Sequence, residues 1–510
     1  MKAMDKPNRG DTRNVNDLLE ATVRRLPDQN AFETDAGHVT YAQFGALVDR
    51  IASALLHLGA KTGDRVAAKV GKSVESIALF YATLKVGVIY VPVNPGFTEE
   101  ETRWIVSDAD PLLVIADDPD DLDKMTNVSG GGGPLAVSLR PCDGREAILT
   151  TEHDHAAPPR TAAVNAAAML YTSGTTGRPK GAIMSHEGII NTFTFINRSW
   201  QIASADRLLH VLPTYHAHGL IMATACPIFA GATIMLMPKF DIDRMIAKLP
   251  EATVLMAVPT IYRRLLDHPD FTRETCRNLR LLSCGSAPLS MELFDEILGK
   301  TGLPVVERYA STESGLIAAN PLDAPRRGSV GKIPEGVEMR LADENGRPVE
   351  TGAIGRIQAR GVNVFLGYWK REDLAASSMT PDGYFDTGDL GRLDADGYLY
   401  IVGRDKEVII SGGYNVYPRE VELALEKIDG VAEAAVFGVE HPDYGEAVVA
   451  AARVTAPTLD EEKILTAVKQ HLASYKCPKK IVAVPEIPRN ELGKILKTEL
   501  KTSGLVSFAG

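Results

Sequence analysis

Short apolar runs alternate with helical stretches over about residues 40 to 320, and this alternation constrains the fold more than any other feature of the chain. The runs are RVAAKV (65–70), VIYVPV (88–93), LLVIA (112–116), ATVLMAV (252–258) and LRLLSCG (279–285). Apolar strands separated by helices form parallel sheets with helices on both faces. The pattern therefore predicts an α/β fold whose large N-terminal domain contains two doubly wound α/β subdomains.

The pattern changes beyond Pro334. Segments such as VEMRLADENGRP and GYFDTGDLGRLDADGYLYIVGR alternate apolar and polar residues between glycine turns, which predicts a small β-rich, antiparallel subdomain. After Arg404 the helix and strand signals alternate again, and PREVELALEKI (418–428) has the periodicity of an amphipathic helix. We therefore predict an N-terminal domain over residues 1–404, a hinge at 405–406 and a small mobile C-terminal α/β domain over 407–510.

Charge and composition exclude several classes of protein. The formal net charge of −11 argues against a nucleic-acid-binding surface, and five scattered cysteines without CxxC spacing argue against a zinc site. The polar N-terminus lacks the apolar region of a secretory signal, and Pro227 interrupts the longest apolar run, from Gly219 to Met237. We therefore predict a cytoplasmic protein without a membrane span, in which this run forms a buried helix, a turn and a core strand.

The stretch YTSGTTGRPKG (171–181) concentrates glycines, hydroxyl groups and two cations directly behind an apolar strand. Glycines let backbone N–H groups approach a ligand closely, and hydroxyl and ammonium groups add further donors, so the set suits phosphate oxygens. The spacing differs from that of a P-loop, because Gly177 is followed by Arg178. The predicted phosphate-binding residues are Thr172, Ser173, Gly174, Thr175, Thr176, Gly177 and Lys180.

Further motifs follow along the chain. They are YASTE (309–313), YFDTGD (384–389), Gly403-Arg404 and PRNELGK (488–494). Together with residues 171–181 they resemble the adenylate-forming superfamily of acyl-CoA synthetases, luciferases and nonribosomal-peptide adenylation domains, over about residues 15 to 505. The resemblance implies that a carboxylate attacks the α-phosphate of Mg·ATP and releases pyrophosphate, after which a thiol attacks the acyl-adenylate and releases AMP. ATP, Mg²⁺ and coenzyme A are the implied cofactors.

The same resemblance implies roles for the residues around the phosphates and the reacting carboxylate. Thr312 binds phosphate, and Glu313 coordinates magnesium, a hard cation that prefers oxygen ligands. Lys494 stabilises negative charge that grows in the adenylation transition state. The C-terminal domain rotates between the two steps about the hinge residue Lys406.

The nucleotide and the thiol are assigned to other motifs by the resemblance. Tyr309 stacks on adenine, and Asp389 and Arg404 bind the ribose hydroxyls. The remaining implied residues are Gly285, Ser286, Ala287, Glu307 and Arg308 at the ATP site, and Gly412, Gly413 and Tyr414 along the pantetheine tunnel.

Two segments, PTYHAHGL (213–220) and PTIYRR (259–264), most resemble malonyl-CoA synthetases. The resemblance implies that Arg264 pairs with the distal carboxylate of malonate, since a buried carboxylate needs a partner, and that His216 shapes the carboxylate site. Those enzymes carry threonine in place of Ala217 and a larger residue in place of Ser311. The smaller side chains predict a pocket that accepts C2-substituted malonates, methylmalonate included. The predicted substrate-binding residues are His216, Ala217, Arg264, Ser283 and Ser311.

Alternative functions remain open from the sequence. They are a CoA ligase for oxalate, a short-chain acid or an aryl acid, an enzyme that loads a carrier protein, and a non-catalytic binding protein with the same fold. Lys494 also resembles a lysine whose reversible acetylation silences related bacterial enzymes, which implies a lysine acetyltransferase and a deacetylase as partners. A monomer and a homodimer both fit the sequence.

Overall fold

The computed structural model describes residues 14–126, 133–141, 147–149, 165–172, 179–412, 414–441, 443–455, 460–490 and 493–503. In chain order, the strands in these ranges are β1 (Asn30–Thr34), β2 (Gly37–Thr40), β3 (Arg65–Lys69), β4 (Ile89–Pro92), β5 (Leu113–Ala116), β6 (Leu135–Ser138), β7 (Ala166–Thr172), β8 (Lys180–Ser185), β9 (Arg207–His210), β10 (Thr233–Leu236), β11 (Val254–Ala257), β12 (Leu281–Cys284), β13 (Val305–Ser311), β14 (Gly315–Ala319), β15 (Glu338–Ala342), β16 (Ile354–Arg360), β17 (Gly367–Tyr368), β18 (Phe385–Leu393), β19 (Leu399–Arg404), β20 (Ile409–Ser411), β21 (Tyr414–Val416), β22 (Val431–His441), β23 (Gly445–Val454) and β24 (Lys480–Ala483).

The helices in the same ranges complete the secondary structure. The α-helices are α1 (Val15–Arg25), α2 (Tyr41–His57), α3 (Val74–Val86), α4 (Glu99–Ala109), α5 (Pro119–Thr126), α6 (His186–Ser199), α7 (Cys226–Ala230), α8 (Ile242–Lys248), α9 (Pro259–Asp267), α10 (Met291–Thr301), α11 (Glu372–Ser377), α12 (Pro418–Leu425), α13 (Glu461–Val468) and α14 (Lys497–Thr502). A π-helix spans His218–Ala225, and 3₁₀ turns span Leu249–Glu251 and Asp405–Glu407. No helix in the described ranges combines the length and the apolarity that crossing a bilayer requires.

Two large sheets form the first part of the chain. Their strand orders are β14-β13-β12-β11-β9-β10-β1-β2 and β17-β8-β7-β4-β3-β5-β6. The central strands pair in parallel, whereas β1–β2, β13–β14 and β7–β8 are antiparallel. One continuous apolar core contains residues of both sheets, including Val66 and Leu208. The predicted α/β class is confirmed, and each of the five apolar runs contains one strand: β3, β4, β5, β11 and β12.

Two smaller sheets follow along the chain. The first is antiparallel, with the order β15-β16-β18-β19, as the period-two pattern predicts. The second has the order β21-β20-β23-β22, with β24 parallel to β23. Apolar side chains on both faces of β22 are buried, Val436 in one cluster and Phe437 in another. The 3₁₀ turn Asp405–Glu407 is the connection between the two sheets.

Local signals explain how the elements near the site begin and end. The hydroxyl of Ser73 accepts a hydrogen bond from the Ser76 N–H group at the start of α3, and Gly87, with φ 76°, ends that helix. The apolar run from Gly219 folds as the π-helix and α7, a turn at Gly231 (φ 84°), and β10. The predicted sequence of helix, turn and strand is therefore correct, although π-helical geometry was not anticipated.

Candidate active site

A cavity of about 830 Å³ is lined by residues of the first two sheets, by residues of the antiparallel sheet β15-β16-β18-β19 and by Lys494. Residues from motifs that are far apart in the sequence line it together. Those named in the sequence analysis are Thr172, Lys180, His216, Ala217, Ser286, Arg308, Ser311, Thr312, Glu313, Asp389, Arg404, Lys406 and Lys494. The structure thus brings to one site most of the predicted residues that it describes.

The phosphate motif is split between two adjacent strands. Thr172 ends β7 and Lys180 begins β8, and the two residues pair across the antiparallel ladder. The ammonium group of Lys180 lies 5.5 Å from the centroid of the Tyr368 ring. The intervening residues Ser173, Gly174, Thr175, Thr176 and Gly177 lie outside the described residues.

Glu313 presents a carboxylate to the cavity beside this motif. Its Oε1 accepts hydrogen bonds from Thr172 Oγ1 at 2.9 Å and from the Tyr368 hydroxyl at 3.1 Å. Both donors orient the carboxylate, and carboxylate oxygens are ligands that Mg²⁺ prefers. The described residues contain no cluster of three His, Cys, Asp or Glu side chains that could hold a metal ion. Glu313 therefore fits a Mg²⁺ ion whose other ligands are phosphate and water oxygens.

Asp389 links two strands of the antiparallel sheet at the cavity wall. Its Oδ1 lies 3.0 Å from Arg404 Nε, across the β18–β19 pairing, and its Oδ2 accepts a 2.5 Å hydrogen bond from the Tyr309 hydroxyl. Burial raises the pKa of Asp389, and Arg404, Tyr309 and Lys494 oppose that shift. Tyr309 itself packs against the apolar cluster behind this sheet, between the cavity-lining Arg308 and Ala310.

Lys494 reaches the same cavity from the C-terminal unit. Its backbone N–H group donates a 2.9 Å hydrogen bond to Asn490 Oδ1, which closes the turn that carries it. Desolvation and the neighbouring Arg404 lower the pKa of Lys494, whereas Glu407 and Asp389 act in the opposite direction. The lysine therefore lies near Arg404, Glu407 and Asp389 in the cavity.

Arg308 is buried in the cavity wall, with 8 % of the residue exposed. Its Nε has no hydrogen-bond partner in the described part of the chain. A Cβ atom on Gly285 would lie 2.7 Å from both Nε and Cζ of this side chain, so the glycine makes room for the guanidinium. Burial lowers the pKa of Arg308 to about 10, so it remains charged at neutral pH.

His218 and Ser286 form a polar pair next to Arg308. His218 Nδ1 lies 3.0 Å from Ser286 Oγ, and Ser286 adopts a left-handed backbone conformation with φ 71°. Burial and the charge of Arg308 lower the pKa of His218 well below its ordinary value, so the imidazole is neutral. His216, on the same segment, packs its ring 4.7 Å from that of Tyr215.

Several predicted residues lie outside the cavity lining. Arg264 is exposed on α9, with its guanidinium 5.2 Å from the centroid of the Phe240 ring, while Arg263 pairs with Glu296 at 3.0 Å. Ser283 is buried in β12, where its carbonyl accepts a hydrogen bond from the Tyr262 hydroxyl. The other predicted residues outside the lining are Gly285, Ala287, Glu307, Tyr309, Gly412 and Tyr414, and Gly413 is outside the described residues.

Other cavity residues received no role in the sequence analysis. Tyr368, His218 and Arg356 line the cavity, and Arg356 pairs with Asp386 at 3.0 Å and Asp405 at 2.6 Å. These residues lie between the short motifs, or on strands where pairing with the neighbouring strands decides which way a side chain points. Of the three, His218 is the easiest to find from the sequence, because it lies in the PTYHAHGL segment.

The folded domains and the gathered motif residues define an adenylate-forming site. Residues 19–369 match the family described as AMP-binding enzyme, and residues 420–494 match the AMP-binding enzyme C-terminal domain. The chain belongs to the AMP-binding enzyme family and is an ATP-dependent, AMP-forming CoA ligase of the adenylate-forming superfamily. Enzymes of this class use ATP, coenzyme A and Mg²⁺.

Relatives cover nearly the whole chain. A crystal structure of ATP-bound MatB from Rhodopseudomonas palustris is 40% identical, with a TM-score of 0.90 over 96% of this chain and 99% of that chain. Indoleacetate–CoA ligase from Aromatoleum aromaticum is 35% identical over 93% of this chain and 95% of its own length. Malonate–CoA ligase from Arabidopsis thaliana is 30% identical over 93% of this chain and 86% of its own length. The two named ligases share the CoA ligase class but carry different acids in their names.

Proposed function

We propose that the protein activates malonate, or a malonate substituted at C2 such as methylmalonate, and transfers the acyl group to coenzyme A. The observation that carries this proposal is the buried Arg308 in the cavity wall, whose Nε lacks a hydrogen-bond partner among the described residues. The similarity to malonate–CoA ligase from Arabidopsis thaliana points to the same acid.

A buried cation is costly unless an anion accompanies it. Burial is the largest cause of the lowered pKa of Arg308, and the Cys284 and Cys226 thiols oppose it. No described carboxylate forms an ion pair with Arg308, and the neighbouring His218 is neutral. The second carboxylate of a dicarboxylic acid would supply the missing anion, whereas a long-chain monoacid would leave the guanidinium unpaired. We therefore assign Arg308 to the distal carboxylate. The sequence analysis gave that role to Arg264 and placed Arg308 at the ATP site.

The reacting carboxylate then faces the nucleotide. Lys494 offsets the repulsion between this carboxylate and the α-phosphate, and such preorganised charge typically contributes about 3 kcal/mol to a transition state. Thr172, Lys180 and Thr312 line the cavity where donors to the phosphates are needed. Glu313 would hold Mg²⁺, which neutralises phosphate charge when bound.

The pocket wall supports the proposed tolerance for a C2 substituent. Ala217 and Ser311 both line the cavity. The Ser311 hydroxyl lies 2.8 Å from the Ser314 hydroxyl and accepts a hydrogen bond from the Ser314 N–H group, so it is engaged in its own turn. We expect Ala217→Thr to lower kcat/KM for methylmalonate relative to malonate by about 10-fold. This lies within the range of discrimination that one methylene group produces between two substrates.

The thiol-transfer step requires a second domain arrangement. Gly412 and Tyr414 lie outside the cavity lining, and the Tyr414 side chain is exposed, 4.8 Å from the Tyr475 ring. We propose that residues 407–510 rotate as a domain about Lys406, withdraw Lys494 and bring the Gly412–Tyr414 region toward the acyl-adenylate. Lys406 lies in the 3₁₀ turn between the two smaller sheets, where such a rotation would take place.

The decisive experiment measures CoA-dependent AMP formation with malonate, methylmalonate, oxalate, sulfoacetate, acetate, octanoate and indoleacetate. Wild type is compared with Arg308→Met and with Arg264→Met, a matched removal of the exposed arginine. We expect activity to be confined to small dianions and Arg308→Met to lower kcat/KM by about 100-fold or more, because it leaves the distal carboxylate unpaired. Arg264→Met should retain wild-type kinetics.

Other outcomes identify which part is wrong. Loss of activity in Arg264→Met, with full activity in Arg308→Met, would show that Arg264 binds the distal carboxylate. Best activity on a monoacid, unaffected by either substitution, would reject malonate and leave the CoA ligase class intact. Circular dichroism and adenylate formation with the preferred acid at saturating concentration show whether Arg308→Met remains folded.

A further inference from the structure

The residues around Lys494 form a tight, internally bonded turn. The Asn490 N–H group donates to the Lys494 carbonyl at 3.0 Å, and the Gly493 N–H group donates to the Asn490 carbonyl at 2.9 Å. Arg489 donates to the Gly493 carbonyl and to the Glu433 carboxylate on β22. These bonds fix Lys494 relative to the C-terminal sheet, so its place in the cavity depends on where the turn contacts the rest of the protein.

That contact is made by Gly493. The residue is buried with φ 80°, and a Cβ atom on it would lie 3.3 Å from Thr260 Cγ2 and 3.6 Å from Pro259 Cδ. Pro259 and Thr260 are the first two residues of α9, in the N-terminal part of the chain. The turn that carries Lys494 therefore lies against the first turn of α9, so closely that a Cβ atom on Gly493 would meet Thr260 slightly inside ordinary contact distance.

The first turn of α9 is itself anchored in the core. The Tyr262 N–H group donates to the Val258 carbonyl at 3.2 Å, and the fully buried Tyr262 hydroxyl donates to the Ser283 carbonyl at 2.9 Å. Pro259 begins the helix, where a missing N–H group costs no helical hydrogen bond. Thr260 thus presents its side chain to Gly493 from a rigid support.

We propose that Thr260 is a positioning residue for the adenylation step, because its side chain is the surface on which Gly493 places the Lys494 turn. The inference rests on the proposed role of Lys494 in adenylation. Stabilisation of a transition state by a preorganised charge depends on the position of that charge, and a displacement of about 1 Å can cost on the order of 100-fold in rate. Thioester formation, in which Lys494 is withdrawn, does not need the contact.

The test separates the two half-reactions with whichever acid of the panel is activated best. Thr260→Phe places a larger side chain against Gly493 and displaces the turn. We expect the rate of acyl-adenylate formation, followed by single-turnover pyrophosphate release at saturating ATP and acid, to fall at least 10-fold. Thioester formation from supplied acyl-adenylate and coenzyme A should stay within about twofold of wild type, which also shows that the variant is folded. Thr260→Val keeps the branched shape and should retain most of the wild-type rate that Thr260→Phe loses.

A second comparison addresses the contact from its other side. Gly493→Ala should slow adenylation, and adding Thr260→Ala should recover part of that rate, because it removes the Cγ2 and Oγ1 atoms that the new methyl group meets. The proposal would be overturned if Thr260→Phe slowed both half-reactions equally or slowed neither. Strictly additive effects of Gly493→Ala and Thr260→Ala would also overturn it. If no acid in the panel is activated, the proposed function fails independently of Thr260.

Discussion

The Tyr309 hydroxyl donates a 2.5 Å hydrogen bond to Asp389 Oδ2, and this bond joins strand β13 to strand β18 at the cavity wall. The same carboxylate lies 3.0 Å from Arg404, so it is held between a neutral donor and a cation. A carboxylate oriented in this way is suited to accept hydrogen bonds from ribose hydroxyls. Through Asp389, the bond links strand β13 with Arg404, which precedes the 3₁₀ turn Asp405–Glu407.

Tyr309→Phe tests this connection while preserving the aromatic ring. Because the acceptor is a charged carboxylate, the lost hydrogen bond is worth about 1.5–3 kcal/mol and should raise the KM for ATP about 10-fold or more, with little change in the KM for the acid. Steady-state kinetics with ATP varied measures the effect. Tyr400→Phe is the matched control, because its hydroxyl bonds Asp394 at 3.2 Å outside the cavity lining. An unchanged KM for ATP in Tyr309→Phe would show that the Tyr309 hydrogen bond does not orient Asp389 for ATP binding.

Removing the charge of Lys494 should affect one half-reaction. We expect Lys494→Gln to slow acyl-adenylate formation by about 100- to 1,000-fold, the usual cost of one preorganised donor, while thioester formation from supplied adenylate continues. Acetylation of Lys494 neutralises the same charge and should reproduce the pattern. Rapid-quench measurement of both steps, with Lys501→Gln as a control in α14, checks this. Parallel loss of both steps would contradict a role confined to adenylation.

We expect Glu307 to make the stability of the folded state depend on pH. Burial raises its pKa from 4.5 to about 7, although the Leu289 N–H group and Arg419 favour the charged form. Because the folded protein then binds more protons than the unfolded chain, this group's contribution to stability is lost as pH rises from about 4.5 through 7, by on the order of 3 kcal/mol in total. Glu307→Gln should therefore flatten the dependence of Tm on pH and exceed wild-type Tm at pH about 8.

Thermal unfolding at several pH values between about 5 and 8 measures this dependence. The matched control is Glu335→Gln, since the Glu335 side chain is 86% exposed and pairs with Arg198 only at the surface. A wild-type slope retained in Glu307→Gln would assign the pH dependence to other groups.

Gly219 admits no side chain. A Cβ atom there would lie 1.9 Å from the Pro213 carbonyl oxygen, so Gly219→Ala must shift the segment that carries His216 and His218. We expect a loss of more than about 2 kcal/mol in stability together with reduced kcat/KM, measured by denaturant unfolding and kinetics. Gly299→Ala in α10 meets no atom within 4 Å and should stabilise the protein by up to about 1 kcal/mol. Similar stability in the two variants would show that the Pro213 contact relaxes freely.

Much of the fold could be predicted because its signals are local. The apolar runs around Val66, Val91 and Leu282 became buried strands, since strand-length apolar segments between helices can bury both faces only inside a covered sheet. Short motifs also predicted that Thr172, Glu313 and Lys494 belong to one site, and these residues do line one cavity. A short motif indicates the chemistry of a site because the types of its side chains can be read from the sequence.

The sequence by itself determined the α/β class and the chemical groups of the adenylating site, because periodicity and motif composition are properties of neighbouring residues. Only the tertiary structure decided which arginine faces the cavity. Arg308 points inward because β13 alternates its side chains between the cavity and the Tyr309 cluster, while packing of α9 turns Arg264 outward toward Phe240. The place of Lys494 is likewise decided by contact between Gly493 and Thr260, residues separated by most of the C-terminal half of the chain.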